Sequence, residues 1–267
     1  MIFGDLMSIK NIITLIIALT KITFAYCEDF KISIQYQNRP PFFIENPITH
    51  KLTEGIGYEI IDKILKESKI NFVYENKPLV RSLLDIKENR YPTCYPYAYK
   101  SKEREKSALF SLPFQKTSKL ILAIRKDDLR FKNLNTFKDV ISKNELYPII
   151  KIGYNHEKAV SDLLEKYKNY SIYNIEKEKN NKIISTSSDQ EEMLLKIIKK
   201  EGDYAFFTLN EFEYYQNKNK DIKMYLEYKE ITDSKNEVVR HFMCSKKVGI
   251  EIINKINLAI KKEVKSL

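Results

Sequence analysis

The switching of two hydrophobic periods between Phe30 and Tyr99 constrains the fold more than any other feature of this chain. Phe30–Tyr36 (FKISIQY) alternates apolar and polar positions, which is the period of a half-buried strand. Gly55 then opens a stretch through Ser68 in which Ile60, Ile61, Ile64 and Leu65 share one helical face. Asn71–Glu75 returns to a strand. Pro78–Glu88 reads as a helix with proline near its first turn, and Tyr91–Tyr99 as a third strand. Strand, helix, strand, helix, strand is the signature of a parallel sheet with crossover helices.

A second unit of the same kind follows. Lys119–Ile124 is an apolar strand leaving the first unit, and Lys126-Asp127-Asp128 is a charged break. The pattern then predicts a helix over Thr136–Asn144, a strand over Ile149–Tyr154, a helix over Glu157–Tyr167 and a strand over Ser171–Ile175. After a charged loop at Lys177–Lys182, Ser188 or Asp189 caps a helix that runs to Lys200 and that Gly202 stops. Tyr204–Phe207 is a buried strand and Leu209–Gln216 a helix. The tail reads as strands at Ile222–Tyr228 and Val238–Cys244 and a long helix from Gly249 to Lys265. These last elements complete the first unit. The expected fold is α/β with two lobes, each a mostly parallel sheet flanked by helices, joined by two crossing strands with a cleft between them. Lobe 1 takes residues 28–122 plus 232–267, and lobe 2 takes 123–231.

The formal charge of +10 raises the question of a polyanionic partner. The lysines are scattered among Asn, Ile and Glu along the whole chain, and no nucleic-acid motif accompanies them, so no nucleic-acid partner is expected. Lys10, the apolar run Ile12–Leu19 and the small residues flanking Phe24 in Thr23-Phe24-Ala25 read as an export signal over residues 1–25, cut after Ala25. Cys27 leaves lipidation as an alternative, against which the bulky Tyr26 stands. In an oxidising compartment Cys94 and Cys244, each in a strand-like run, can pair; two buried free thiols are the alternative. The chain lacks Cys-x-x-Cys, and His50, His156 and His241 are far apart in sequence, so no metal or other cofactor is expected.

The segment Thr93–Phe114 (TCYPYAYKSKEREKSALFSLPF) carries the functional signal. Ser101 can cap the turn that contains Glu103 and Arg104, and Ser111-Leu112-Pro113-Phe114 starts an extended run. A guanidinium held there offers a planar fork that matches a carboxylate. Glu-Arg in a short turn followed by Phe-Ser-x-Pro-Phe resembles the bacterial family 3 extracellular solute-binding proteins, the receptors that feed ABC importers. The resemblance covers nearly the whole mature chain.

The resemblance implies a set of cleft residues. Arg39, just before Pro40-Pro41-Phe42, stands near the family's ligand-packing position, with Phe42 beside it; both also fit a rigid turn with a core aromatic. Arg81 matches an aromatic-x-x-Arg motif in which this chain has leucine for the aromatic; a surface cation is the plain alternative. Arg104 matches the arginine that clamps a ligand carboxylate. Tyr97 and Tyr99 replace small hydroxyl residues and imply a more aromatic pocket. Asn155 and His156, in the loop Gly153–Glu157, stand where the family has Gly-Thr or Gly-Ser. The acid that holds an amino-acid ammonium is missing, because Thr208 or Asn210 occupies its place.

The expected function follows. The chain is a monomeric periplasmic receptor for a small solute, amino acid-like or an organic anion, delivered to the membrane permease of an ABC importer without covalent chemistry. A sensing module for a membrane partner is one rival. A dehydratase-like enzyme using Glu59 or Glu103 is the other, and no Ser/His/Asp or Cys/His arrangement supports it.

Overall fold

The computed structural model describes residues 31–154, 156–170, 182–235 and 237–264. The export signal, Cys27, Asn155 and the strand expected over Ser171–Ile175 lie outside the described residues. Lobe 1 opens with β1 (Ile32–Tyr36), a two-strand ribbon of β2 (Ile44–Glu45) and β3 (Leu52–Glu54), and helix α1 (Ile56–Glu67). Next come β4 (Phe72–Asn76), α2 (Leu79–Glu88), β5 (Thr93–Ala98), the single turn α3 (Lys102–Glu105), β6 (Ala108–Phe110) and β7 (Gln115–Ser118). Lobe 2 contains β8 (Leu120–Arg125), α4 (Phe137–Ile141), β9 (Pro148–Lys151), α5 (Lys158–Lys168), β10 (Ile184–Thr186) and α6 (Gln190–Ile198). It continues through β11 (Tyr204–Thr208), α7 (Leu209–Lys218), α8 (Lys220–Tyr225) and β12 (Leu226–Lys229). Finally β13 (Glu237–Ser245) and α9 (Ile250–Glu263) return to lobe 1.

The sheet of lobe 1 has the order β4-β1-β5-β13-β6, and that of lobe 2 the order β10-β9-β11-β8-β12. In lobe 1, β1 runs parallel to both β4 and β5; in lobe 2, β9 runs parallel to both β10 and β11. The connections from β1 and β5 therefore depart to opposite sides, as do those from β9 and β11. Each divergence leaves a crevice at the carboxyl ends of the strands, where ligands of open α/β sheets bind. The lobes are linked through β7 and β13, which pair antiparallel from Ser118↔Glu237 to Gln115↔Arg240.

Strand periodicity accounts for the cores. In β8, Ile121 and Ala123 pack with Leu194 and Ile197 of α6, while Leu122 and Ile124 point the other way and pack with Phe137 and Ile141 of α4. Helices cover both faces, so the whole strand is apolar rather than alternating. In lobe 1, Ile61, Ile64 and Leu65 of α1 meet Ile253, Ile256 and Ile260 of α9 over Ile32 and Ile34.

Cys94 and Cys244 form a disulfide between directly paired positions of β5 and β13, with Cα atoms 4.0 Å apart. They lie 150 residues apart in sequence. Closing a loop of that size restricts the unfolded chain by about 5 kcal/mol in the chain-entropy account.

Two local expectations are corrected. Ile222–Tyr228 is not one strand: the Asn219 side chain accepts from the backbone of Asp221 and Ile222 and starts α8, and pairing with β8 begins only at Leu226. Gly202 does not end α6, which stops at Ile198 with Lys200 in the left-handed region at φ 62°. Gly202 is required by close approach instead, since a Cβ there would lie 2.5 Å from Ile149 Cγ1.

Candidate functional site

The four loops at the two crevices converge on one cavity, whose lining includes Arg39, Tyr97, Arg104, Lys151, His156 and Glu211. The space in which water centres fit is about 70 Å³. That is several times the ~10–15 Å³ needed to admit one water, and so suits a small solute.

Arg39 reaches the cavity from the turn after β1. Its Nε donates to Glu211 Oε1 at 2.7 Å, and the guanidinium lies 4.8 Å from the Tyr154 ring centroid. Arg39 belongs to lobe 1 and both partners to lobe 2, so this side chain bridges the cleft. Glu211 is held from its own side too. Thr208 donates to Glu211 Oε2 through its backbone N (3.1 Å) and its Oγ1 (2.7 Å), within a capping box at the start of α7. Burial alone pushes the Glu211 carboxyl up, but the Arg39 charge and the hydrogen bonds from Arg39 and Thr208 outweigh it and hold the group below the usual carboxylate range.

Arg104 is placed by α3, where Ser101 Oγ accepts from its backbone N. Its Nη1 donates to the Tyr99 carbonyl at 3.1 Å and its Nη2 to the Gly153 carbonyl of lobe 2 at 3.3 Å. Gly153 has φ 82°, and a Cβ there would meet Val80 of α2 at 3.1 Å. Glycine thus lets the lobes approach closely at this flank.

Tyr97 lies where the ladder between β5 and β13 shifts register, between His241↔Ala98 and Met243↔Tyr95. Its φ of 73° is unusual for a bulky residue. Its ring packs against Phe42 at 4.8 Å and Phe114 at 6.1 Å, and among the described residues its hydroxyl has no hydrogen-bond partner.

Arg240 of β13 covers the Tyr97 ring at 5.5 Å, and its Nη2 donates to Thr117 Oγ1 at 3.3 Å. Its Nε has no partner among the described residues. Lys151, at the end of β9, is 4 % exposed and donates to the Ser188 carbonyl at 2.8 Å. Burial, aided by the Arg39 charge, pushes its ammonium down to about 8. Burial, with Arg39 and Arg240, likewise pushes His156 down to about 4, so its ring is neutral at pH 7. Glu157 is 5 % exposed; burial pushes its carboxyl up, with Lys235 opposing.

Of the ligand-site residues named from the sequence, Asn155 lies outside the described residues, and the others divide into those that line the cavity and those that do not. Arg39, Tyr97, Tyr99, Arg104, His156 and Thr208 line the cavity. Phe42 does not line it: it is 1 % exposed in the lobe 1 core and supports Tyr97 from behind. Arg81 does not line it either. Its side chain is 59 % exposed and sits 3.4 Å from Asp85 one helical turn away. Of the acids considered for proton transfer, Glu59 and Glu103 are both exposed and away from the cavity.

Lys151, Arg240, Glu211 and Tyr154 were not named from the sequence. Lys151 and Arg240 were legible as lone cations in the apolar runs Pro148–Ile152 and Val238–Cys244, and Glu211 as the fourth residue of a Thr-x-x-Glu capping pattern.

Comparison with known proteins places the architecture. No protein-family model matches the chain, and no curated protein does. Solved structures do. One is an ancestral arginine-binding protein bound to arginine: TM-score 0.67, 14 % identity, covering 88 % of this chain and 92 % of that one. A second is an ancestral amino acid-binding protein described as a precursor of cyclohexadienyl dehydratase: TM-score 0.66, 15 % identity, covering 93 % and 94 %. A third comes from work on glutathione import through a cystine ABC importer of Streptococcus mutans: TM-score 0.63, 19 % identity, covering 87 % of each chain. At these identities the likeness establishes the two-lobed binding-protein fold.

Proposed function

We propose that the mature chain is an exported, monomeric receptor that closes two lobes over a small anionic solute and delivers it to an ABC-type membrane importer. The observation that carries this reading is the cationic lining of a cavity bridged from both lobes, with Arg39, Arg104, Lys151 and Arg240 against two carboxylates. In this reading Arg104 is the carboxylate clamp, and closure is a hinge motion at β7 and β13. A structural neighbour described as the substrate binding protein of an amino acid ABC transporter, and another from work on glutathione import through a cystine ABC importer, support the transport role. The Cys94–Cys244 disulfide suits an oxidising compartment such as the periplasm, which an export signal over residues 1–25 would reach. Among the described residues no helix is long and apolar enough to cross a membrane. Signalling to a membrane sensor would use the same closure.

A thermal-shift screen of the mature protein against amino acids, organic acids, polyamines and sugars tests the reading. A solute present at 100 times its Kd adds about 2.7 kcal/mol of stability. The expected hits are anions; stabilisation by polyamines or sugars alone counts against the assignment.

One observation favours a second reading, a lyase of the same fold. Glu157 is a buried acid in the cavity with a raised pKa, as proton transfer requires. Turnover of a cyclic acid, lost in Glu157→Gln, is the result that would replace the receptor assignment.

A further inference from the structure

Tyr97 and Arg240 come together at an irregularity of the lobe 1 sheet. Between His241↔Ala98 and Met243↔Tyr95, β5 carries one residue more than β13, so Pro96 and Tyr97 stand opposite Phe242. A bulge of this kind re-aims a side chain. Here it holds Tyr97 at φ 73°, a backbone conformation that is costly for a bulky residue. Arg240, the neighbour of His241, lies over the Tyr97 ring at 5.5 Å, and both residues line the cavity.

Neither side chain is satisfied by the fold. Tyr97 is 1 % and Arg240 9 % exposed, and Tyr97 Oη and Arg240 Nε are buried without a hydrogen-bond partner among the described residues. Arg240 donates through Nη2 only to a neutral hydroxyl, Thr117 Oγ1, at 3.3 Å. Burial and the Arg39 charge both disfavour its own charge, and Glu211, which favours it, is bonded to Arg39 and Thr208. A guanidinium keeps its proton, so only an acceptor can offset its desolvation. A buried network that serves the fold alone has its members paired. These two donors are adjacent, unpaired and in the wall of a cavity.

We propose that Arg240 and Tyr97 form a subsite for an oxygen group at the far end of the solute, beyond the carboxylate that Arg104 takes, and that this subsite prefers a carboxylate. This rests on the receptor reading and deepens it. Arg240 Nε and Tyr97 Oη each supply one donor, and a charged acceptor makes both bonds charge-assisted. Arg240 stands on a crossing strand, paired with Gln115 of β7, so the same contact ties the solute to the hinge.

The test is calorimetric titration of the mature protein, Tyr97→Phe and Arg240→Gln with two series of equal chain length. Glutarate, glutaramate and valerate form one, and L-glutamate, L-glutamine and L-norvaline the other. In each, the far end is a carboxylate, a carboxamide or a methyl group, and the result does not depend on the ammonium. Whichever series binds, the far ends should rank in that order, with about tenfold or more between carboxylate and methyl, the size expected of a charge-assisted contact. Tyr97→Phe should weaken the carboxylate member by about tenfold, and Arg240→Gln should bring carboxylate and carboxamide level. Ligand-free Tyr97→Phe should melt no lower than the unaltered protein, because it removes a hydroxyl that folding desolvates without a partner. A residue serving only the fold would lower melting and leave the ranking alone. If Arg240→Gln does not fold, Tyr97→Phe and the ranking in the unaltered protein decide. A ranking not led by the carboxylate, or one that both variants leave unchanged, overturns the inference and leaves the receptor reading intact. So does binding of another solute of the thermal-shift screen when neither series binds. Absence of binding by every solute of that screen overturns both.

Discussion

Replacing Glu211 by glutamine should open the cleft without unfolding either lobe. The Arg39–Glu211 pair is 10 % and 2 % exposed and spans 172 residues of sequence, from the turn after β1 in lobe 1 to the first turn of α7 in lobe 2. Breaking a buried pair by removing one partner costs about 3–5 kcal/mol, because the remaining charge stays desolvated. In a hinged protein that cost has an exit: the lobes part and Arg39 regains water. The lower bound of about 3 kcal/mol then appears as a shift of roughly 150-fold toward the open form. Glutamine still serves as the N3 residue of the capping box, so α7 keeps its start. Small-angle scattering of the ligand-free protein and urea unfolding read the two quantities separately. Glu211→Gln should raise the radius of gyration and lower the unfolding free energy by less than about 1 kcal/mol. The double variant Arg39→Gln/Glu211→Gln should recover part of the closed population. An unchanged scattering profile with a full 3–5 kcal/mol loss in urea would refute the reasoning and make the pair an element of the fold rather than of closure.

Other outcomes follow from the same geometry. Reduction of Cys94–Cys244 should lower the urea midpoint, with up to about 5 kcal/mol at stake, and Cys94→Ala/Cys244→Ala should show the same midpoint with and without reductant. In the absence of ligand, Lys151 binds fewer protons folded than unfolded between its lowered value of about 8 and its ordinary 10.5. Its contribution to stability therefore rises with pH across that window, by up to ~1.4 kcal/mol per unit, and Lys151→Met should remove that slope from a pH series of unfolding curves. His156 is likewise lowered, to about 4, so its contribution is lost as pH falls from about 6.5 toward 4. Gly202→Val should destabilise lobe 2 by overpacking, at about 1–3 kcal/mol, because the first added carbon already lies 2.5 Å from Ile149 Cγ1.

The parts of the fold that were legible in the sequence are those whose hydrophobic pattern repeats over enough residues to leave one period standing. Helix α1 and strand β1 are examples: Ile61, Ile64 and Leu65, and Ile32 and Ile34, are buried where their spacing puts them. The run Ile222–Tyr228 was misread because Ile222, Met224 and Leu226 alternate like a strand, while the deciding event is a hydrogen bond from the side chain of Asn219. In the cavity, Arg39, Tyr97 and Arg104 were accessible to sequence reasoning because they sit beside turns and proline segments that mark strand ends. Lys151 ends a strand and Arg240 sits inside one, and there only the topology decides whether a cation faces a core, a cleft or water. Arg81 shows the converse. A helical arginine next to the right segment of sequence points at Asp85 rather than at the cavity.

The central claim, that a small anion is clamped between the lobes, is tested most directly at Arg104. The measurement is the Kd of the strongest-binding organic anion for the mature protein and for Arg104→Ala, with melting of both ligand-free proteins as the control for folding. Loss of one charge-assisted contact to a carboxylate, about 1.5–3 kcal/mol, corresponds to a weakening of about 10- to 150-fold with little change in ligand-free melting. An affinity that is the same in both proteins would contradict the account.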